Sequence, residues 1–294
     1  MEKPDGEKVN RIPMARHFRP AMPMALRFRD YSETSDVFHC HEFHELVLVL
    51  GGSGEHVTEE HSYPVFPGDI FLIRPPQFHG YRKLRQLRIA NFLYMPDCLG
   101  PELDSLKSLL GYYIFFESDP HLAAAGRLRG RPALGDGSFA QARELTLRMQ
   151  REQQEKIPGW EFQFRLLFLE LMLLICRTFS DGAVIQSAET VKIGRILRYF
   201  DENYSRPVTL DELARQCGCS VPTLTRLFRE TMQDSPIDYL NRLRLEKAAG
   251  LLRDTRLPVG EIARRTGFCD SNYLSKRFSR RFGLSPRAFR NRER

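Results

Sequence analysis

The sequence predicts an α+β protein of two domains: an N-terminal β-barrel with flanking helices and a C-terminal all-α domain. Three observations predict this fold. Short apolar segments alternate with glycine and proline turns between about residues 25 and 95, helical periodicity begins near residue 138, and the C-terminal region contains one helix-turn-helix pattern twice. A chain of 294 residues is long enough to bury a core in each of two domains.

Composition places the domain boundaries. Residues 1–22 are rich in proline and charge and are predicted to be a disordered tail. The β-rich domain and its helices follow at 23–180, a linker is predicted at 181–190, and a helical domain occupies 191–294. The net charge of +7 is uneven, because basic residues are in excess in the helical domain and acidic residues are slightly in excess elsewhere. This asymmetry favours a polyanionic partner for the helical domain alone.

Four apolar segments are predicted to be strands of the N-terminal domain, namely HELVLVL, EHVTEE, FPGDIFLI and RIANFLYM. Turn signals separate them at residues 51–54, at Pro67-Gly68-Asp69 and at Pro75-Pro76. Many short strands at this spacing indicate a small barrel or sandwich.

Two helices are predicted after the strands, over residues 139–156 and 160–179. The second has one broad apolar face, formed by Trp160, Phe164, Leu167, Leu171, Leu174 and Ile175. Such a face either packs on the barrel or forms a homodimer interface, and periodicity alone leaves both alternatives open.

The helix-turn-helix pattern occurs as LDELARQCGCSVPTLTRLF (210–228) and as VGEIARRTGFCDSNYLSKRF (259–278). Gly218 recurs as Gly267, at the sharp turn where a positive φ favours glycine. In each copy a Leu and a Phe spaced i, i+4 are predicted to anchor the second helix to the core. A single helix over about residues 237–253 is predicted to fix the spacing of the two units. Two such units, held about one DNA turn (~34 Å) apart, can place recognition helices in successive major grooves.

The polar face of each second helix carries side chains that can read or hold DNA. Arg can donate two hydrogen bonds to guanine, Asn can read adenine, and Ser or Thr can contact base or phosphate. Arg229 and Arg280 are predicted to hold phosphates, which positions the domain without specifying sequence. The candidate DNA-contacting residues are Pro222, Thr225, Arg226, Arg229, Ser271, Asn272, Ser275, Lys276 and Arg280.

Residues 191–294 resemble the AraC/XylS family of bacterial transcriptional regulators, most specifically in IARRTGFCDSNYLSKRFSRRFGLSPRAFR (262–290). Within the family, YLNRLRLEKA, GFCDSNY and HCHEFHELVLV look most like the rhamnose-operon regulators. The resemblance implies a sugar-responsive activator that binds promoter DNA and contacts RNA polymerase. It also implies that the family's base-facing positions fall at Pro222, Thr225, Arg226, Ser271, Asn272, Ser275 and Lys276.

All eight histidines precede residue 122, and HCHEFHELVLVLGG resembles the first motif of cupin barrels. PGDIFLIRPPQFH resembles the second motif, with His79 in the place of its last ligand. The candidate ligand-binding residues of this cupin-like barrel are therefore His39, His41, Glu45 and His79. Three interpretations stay open: a metal-free pocket for sugar hydroxyls, a divalent metal site of the same four residues, or barrel-mouth residues that hydrogen-bond one another. His44, His56 and His61 are predicted to face solvent.

The two helix-turn-helix units predict a sequence-specific, DNA-binding regulator, and the family resemblance implies that it is an activator of a carbohydrate-use operon. It is predicted to be a cytoplasmic homodimer that is not an enzyme, requires no cofactor and responds to a small sugar in the barrel. No apolar run reaches the ~18 residues of a membrane span. One alternative is a metal-dependent cupin enzyme or metal sensor fused to a DNA-binding module, and another is an architectural protein that coats DNA without sequence preference.

Overall fold

A computed structural model describes residues 10–12, 18–19, 22–31, 38–59, 62–75, 77–117, 133–180, 188–232 and 234–292. The chain divides into two compact units, Met1–Val191 and Lys192–Arg294. An N-terminal sheet domain and a helical C-terminal domain confirm the predicted α+β fold class. Among the helices formed by described residues, none has the length and apolar character needed to cross a bilayer.

The first unit is built on one mainly antiparallel sheet, to which the described residues contribute seven strands. Long strands β4 and β7 pair with each other, β2 and β3 add to β7, and β5 and β6 add to β4. The bounds are β1 Asn10–Ile12, β2 Met24–Tyr31, β3 His39–His41, β4 His44–Thr58, β5 Ser62–Val65, β6 Ile70–Ile73 and β7 His79–Tyr94.

Strand β4 runs without interruption through the four residues 51–54, where the sequence predicts a turn between two strands. That prediction is wrong, because the glycines allow bulges instead of a reversal. The pairing of β4 with β7 shifts register at three places between Val49 and Glu55. Gly52 has φ +70°, and a Cβ there would lie 2.0 Å from the carbonyl oxygen of Gln86. Only glycine fits such a close approach between the strands.

Two long antiparallel helices cover the sheet after short helices α1 (Glu102–Lys107) and α2 (Leu110–Tyr112). They are α3, Asp136–Glu155, and α4, Trp160–Ser180. Phe168 of α4 contacts the rings of Phe92 and Tyr94 on β7, with ring centroids 5.9 and 5.0 Å apart. Most of the predicted apolar face of α4 is buried within this unit, as expected for packing on the sheet. A separate set of apolar side chains stays exposed, namely Leu147, Ile157, Phe162 and Leu166.

Two boundaries differ from the sequence prediction. The predicted disordered tail is wrong for residues 10–12, which form β1 and pair in parallel with β3. Backbone pairing to a strand distant in sequence stabilises this segment, and local composition does not reveal it. The predicted linker at 181–190 overlaps a helix that begins at Ala188. The remainder of that linker, 181–187, lies outside the described residues.

The second unit is helical, as predicted. Its helices are α5 Ala188–Asn203, α6 Leu210–Gln216, α7 Val221–Met232, α8 Pro236–Asp254, α9 Val259–Arg265, α10 Ser271–Phe282 and α11 Pro286–Arg292. Helix α8 is the predicted linking helix, and Ser235 caps it by accepting a hydrogen bond from the backbone N–H of Asp238. Near its start, Tyr239 contacts Phe200 and Phe228. Nearer its end, Leu245 and Leu252 join the buried core of the second helix-turn-helix unit. One helix therefore packs against both units.

Candidate functional sites

The first helix-turn-helix unit comprises α6 and α7. Thr209 caps α6, because its side chain accepts a hydrogen bond from the backbone N–H of Glu212. Gly218, in the turn, has φ +59° as predicted. Leu224 and Phe228 are fully buried, which confirms that this pair anchors α7. The opposite face of α7 consequently points away from the core.

Pro222, Arg226 and Arg229 are exposed on α7, and Thr225 is half-buried. The Arg226 guanidinium lies 3.0 Å from the Glu230 carboxylate, one helical turn along. The Thr225 hydroxyl donates to the carbonyl oxygen of Val221 at 2.9 Å. A side chain on this face that binds DNA would exchange such local contacts for contacts with bases or phosphates.

The second unit, α9 and α10, has a better-capped recognition helix. Asp270 accepts hydrogen bonds from the backbone N–H groups of Asn272 and Tyr273 at 2.8 and 2.7 Å. The Tyr273 N–H is the largest cause that holds the pKa of Asp270 below its ordinary value, followed by the Cys269 thiol. Gly267 has φ +78°, as predicted for the turn. These contacts fix where α10 begins.

On α10 the side chains of Asn272, Lys276 and Arg280 are exposed, and Ser271 and Ser275 are half-buried. Leu274 and Phe278 are fully buried on the opposite side. Sequence reasoning did not include Tyr273, whose side chain is 41% exposed between these polar residues. The sequence signal for this exposure is the position of Tyr273 next to Leu274. Because successive residues of a helix point in different directions, the neighbour of a buried residue can face solvent.

The predicted ligand-binding residues come from three strands of the sheet domain: β3 carries two histidines, β4 carries Glu45, and β7 begins at His79. His39 pairs with His79 across β3 and β7, and their ring centroids are 4.3 Å apart. The Glu45 carboxylate lies 2.9 Å from Nε2 of His41 and 3.8 Å from Nε2 of His79. The structure therefore brings all four predicted residues together. His41, Glu45 and His79 are each at least 97% buried.

The prediction that His56 faces solvent is wrong. His56 is buried in the interior of the sheet domain, and its ring centroid lies 5.9 Å from that of His79. The bulges of β4 shift the alternation of side chains and turn this residue inward. Burial lowers the pKa of His79 well below its ordinary value, and the neighbouring His39, His56 and His41 lower it further.

His44 also departs from the prediction, since it is half-buried. Burial, with smaller contributions from Arg74 and His41, lowers the pKa of His44 to about 3. Its ring contacts Tyr94 at a centroid distance of 5.4 Å. His61 lies outside the described residues.

Both domains match known families. Residues 213–292 match a family described as a helix-turn-helix domain, and residues 24–144 match an AraC-like ligand-binding domain. A sensing domain joined to a double helix-turn-helix domain defines a class of DNA-binding transcriptional regulators.

The chain is 31% identical over 260 residues to the HTH-type transcriptional activator RhaR of Escherichia coli (strain K12). This match spans 87% of the chain and 88% of the relative, and RhaR of Shigella flexneri gives the same values. The chain belongs to the AraC family of transcriptional regulators. Among solved structures, a regulator from Chromobacterium violaceum with an AraC-type DNA-binding domain is 27% identical, with a TM-score of 0.34. That match covers 35% of this chain and 91% of the other.

Proposed function

We propose that this regulator activates a carbohydrate-use operon by binding promoter DNA in a sequence-specific manner, under the control of a small sugar bound in the sheet domain. Activation is supported by the two relatives above, each of which is a transcriptional activator that matches along both domains. In this proposal the protein is a cytoplasmic homodimer that recruits RNA polymerase. The sheet domain binds its ligand without converting it, since these relatives are regulators.

The observation that carries the DNA-binding part is the pair of similar but chemically different exposed faces on α7 and α10. The face of α7 offers two arginines, whereas the face of α10 offers Asn272, Lys276 and Arg280. A protein that coats DNA without preference needs only positive charge. Different arrangements of donors and acceptors on the two helices instead suit two different half-sites.

Helix α8 supports the same proposal through its length. It has 19 residues, which at ~1.5 Å per residue gives a rod of about 28 Å. Because it packs against the cores of both helix-turn-helix units, it holds them at a fixed separation. That separation is of the same order as one turn of DNA, ~34 Å.

For the sensing part, we infer that His39, His41, Glu45 and His79 contact the effector. Imidazole and carboxylate groups in a buried site can hydrogen-bond sugar hydroxyls and reject ligands that leave them without partners. The effector regulates DNA binding only if it favours one arrangement of the regulator, because equal affinity for both arrangements shifts nothing.

We infer that the exposed apolar residues on α3 and α4 form the dimer interface with a second copy of the chain. Phe162 and Leu166 lie one helical turn apart on the same face of α4, with 58% and 42% of their surface exposed. Large apolar side chains exposed together on one helix face are typical of an interaction surface.

The main test compares the affinity of the full-length protein for its own upstream DNA with its affinity for scrambled DNA of equal length. Anisotropy measurements at physiological salt, with and without L-rhamnose, are expected to show a preference of ~10³-fold or more. A preference that ignores the sugar would contradict L-rhamnose as the effector while keeping the regulator. Equal affinity for both DNAs would contradict sequence-specific binding to this site.

A pair of charge reversals locates the recognition face. Arg226→Glu should weaken binding to the specific site by at least about tenfold, because one good base contact contributes about 1–3 kcal/mol. The matched control is Arg198→Glu on α5. Arg198 forms the same type of i, i+4 ion pair, at 2.9 Å from Glu202, but lies outside both recognition helices. Equal losses in the two variants would mean that net charge, and not the α7 face, accounts for the effect.

A further inference from the structure

Strand β7 carries a row of arginines on one exposed face of the sheet domain. Three exposed arginines pair with alternate residues of β4, in the pairs Glu55–Arg82, Ser53–Arg85 and Gly51–Arg88. Alternate residues of a strand point to the same face, and cross-strand partners share that face. The three side chains therefore form one row, which we call the arginine ladder.

Two bulges produce this row. From one pair to the next, β7 advances three residues while β4 advances two, so β7 has one extra residue at each step. Lys83 and Gln86 lie at these steps, with φ +51° and +48°. Left-handed backbone is unfavourable for residues other than glycine, and it persists where the surrounding structure imposes it. As a result, Leu84 and Leu87 both point towards Gly54, at 3.2 and 3.3 Å from the position of a Cβ there, and every other side chain from 82 to 88 is exposed.

The positive charge of this face is only partly neutralised. The Glu55 carboxylate lies 2.6 Å from Nε of Arg82 and 3.2 Å from Nζ of Lys83, so two cations share one carboxylate. Arg85 and Arg88 form no ion pair with any residue that the structure describes. Two guanidinium groups are therefore available for an anionic partner.

The nearest strand on the other side of β7 adds one more carboxylate. Asp30 of β2 is the cross-strand partner of Arg88, but the two residues form no ion pair. The Arg88 side chain lies instead against β4, where a Cβ at Gly51 would be 2.6 Å from its Nη2. The face thus has four cations and two carboxylates, a net charge of +2, in a part of the chain where acidic residues are otherwise slightly in excess.

We propose that the arginine ladder binds the phosphate backbone of DNA beside the sequence that the helical domain recognises. The ladder spans four residues of β4, or about 13 Å. One DNA strand presents a phosphate about every 3.4 Å along the helix axis, so a row of this length faces about four phosphates. A guanidinium group can bind a phosphate through two parallel hydrogen bonds.

DNA suits this face better than an acidic protein surface does, because DNA presents negative charge at regular intervals. The proposal rests on the DNA binding proposed above. Once the helical domain holds DNA, the sheet domain of the same chain is exposed to a high effective concentration of that DNA, so that a few phosphate contacts contribute to the total affinity.

The test measures the affinity of the full-length protein for a long duplex of its own upstream DNA over a range of salt concentrations. The double variant Arg85→Gln, Arg88→Gln should reduce the slope of log K against log salt by up to about 1.8, since each phosphate contact contributes about 0.9. Scrambled DNA of equal length should show the same reduction, because phosphate contacts carry no sequence information. Circular dichroism shows whether the variant still folds.

Glu55→Gln makes the opposite prediction. Removing this carboxylate releases Arg82 and Lys83 for phosphates, so the affinity at low salt should rise and the salt slope should steepen by about 0.9. Damage to the sheet domain would not strengthen DNA binding. A weaker or unchanged affinity in this variant would contradict the proposal.

The matched control is the double variant Arg29→Gln, Lys156→Gln, which removes two exposed cations of the same domain. Arg29 points to the face of β2 opposite Asp30, and Lys156 follows the last residue of α3. The control should keep the parent's slope. Equal reductions in the ladder and control variants would overturn the proposal, because net charge would explain both. An unchanged slope in the ladder variant would also overturn it. Equal affinity of the parent for both DNAs would contradict sequence-specific recognition alone, since the slopes would still test the ladder.

Discussion

Replacing glycine by alanine in the two helix-turn-helix turns should have unequal costs. Gly218 and Gly267 occupy corresponding positions and both have positive φ, +59° and +78°. Their surroundings differ. A Cβ at Gly218 would have no neighbouring atom within 4 Å, whereas a Cβ at Gly267 would lie 2.4 Å from the carbonyl oxygen of Tyr204. It would also lie 2.9 Å from Nε of Arg244.

The expected magnitudes follow from these distances. Gly218→Ala should lower the free energy of unfolding by about 1 kcal/mol, because alanine is strained in the left-handed backbone conformation. Gly267→Ala has the same cost and must also displace a backbone carbonyl. The Arg244 side chain donates to that carbonyl at 2.7 Å and to the carbonyl of Arg206 at 2.8 Å, so displacement disturbs both hydrogen bonds. Overpacking of this kind adds about 1–3 kcal/mol, which gives roughly 2–4 kcal/mol in total.

Urea unfolding of the full-length chain can assign the loss to one domain. Trp160 is the only tryptophan in the sequence and lies in the first unit, so its fluorescence reports on the sheet domain alone. The circular dichroism signal at 222 nm reports on the helices of both units. Gly267→Ala should shift the helical transition to lower urea and leave the Trp160 transition in place.

Gly218→Ala is the internal control, because it makes the same chemical change at the equivalent turn. Equal destabilisation by the two variants would refute the reasoning, since it would mean that the carbonyl group of Tyr204 does not prevent the second turn from accommodating a Cβ. A shift of the Trp160 transition would also refute it, because the perturbation would not be local to the helical domain.

Two further predictions concern the sheet domain. The pKa of His44 is lowered from 6.5 to about 3, so its stabilising contribution is complete above pH 6.5 and is lost as the pH falls from there towards 3. In the parent, the free energy of unfolding measured by Trp160 fluorescence should fall as the pH is lowered from 7 to 5. His44→Gln should make this fall shallower by up to about 1.4 kcal/mol per pH unit. An unchanged slope would mean that His44 does not have the lowered pKa. The double variant Phe162→Glu, Leu166→Glu should be monomeric by light scattering. The control is Phe66→Glu, which changes an apolar side chain of the same domain that is 42% exposed but lies outside α3 and α4. This variant should keep the molecular mass of the parent. A double variant that is still dimeric would mean that the interface lies elsewhere.

Much of the helical domain could be predicted from sequence because its determinants are local. The turn glycines, the buried i, i+4 pairs and the linking helix are each set within a few residues, and the structure has all three. The exposure of Tyr273 does not follow from its residue type, because tyrosine occurs both in cores and on surfaces. It follows instead from helical geometry, which places Tyr273 beside the exposed Asn272.

In the sheet domain, local signals were less complete. The glycines at 51–54 fit either a turn or a bulged strand, and only the pairing with β7 decides between these possibilities. The same bulges determine which way His56 points, so a simple alternation of inward and outward residues fails there. The grouping of His39 with His79 depends on pairing between β3 and β7, strands about forty residues apart, which motif resemblance indicated and spacing alone could not.

Because helix α8 packs against both helix-turn-helix cores, it also fixes how the two units are rotated relative to each other about the axis of α8. Inserting one residue in the middle of α8 would advance one unit by ~1.5 Å and turn it by ~100° relative to the other. The exposed polar faces of α7 and α10 would then no longer face the same side of the duplex. Operators for this regulator can therefore vary in base sequence more freely than in the distance between half-sites. The corresponding constraint on the protein is that the number of residues in helix α8 must stay the same.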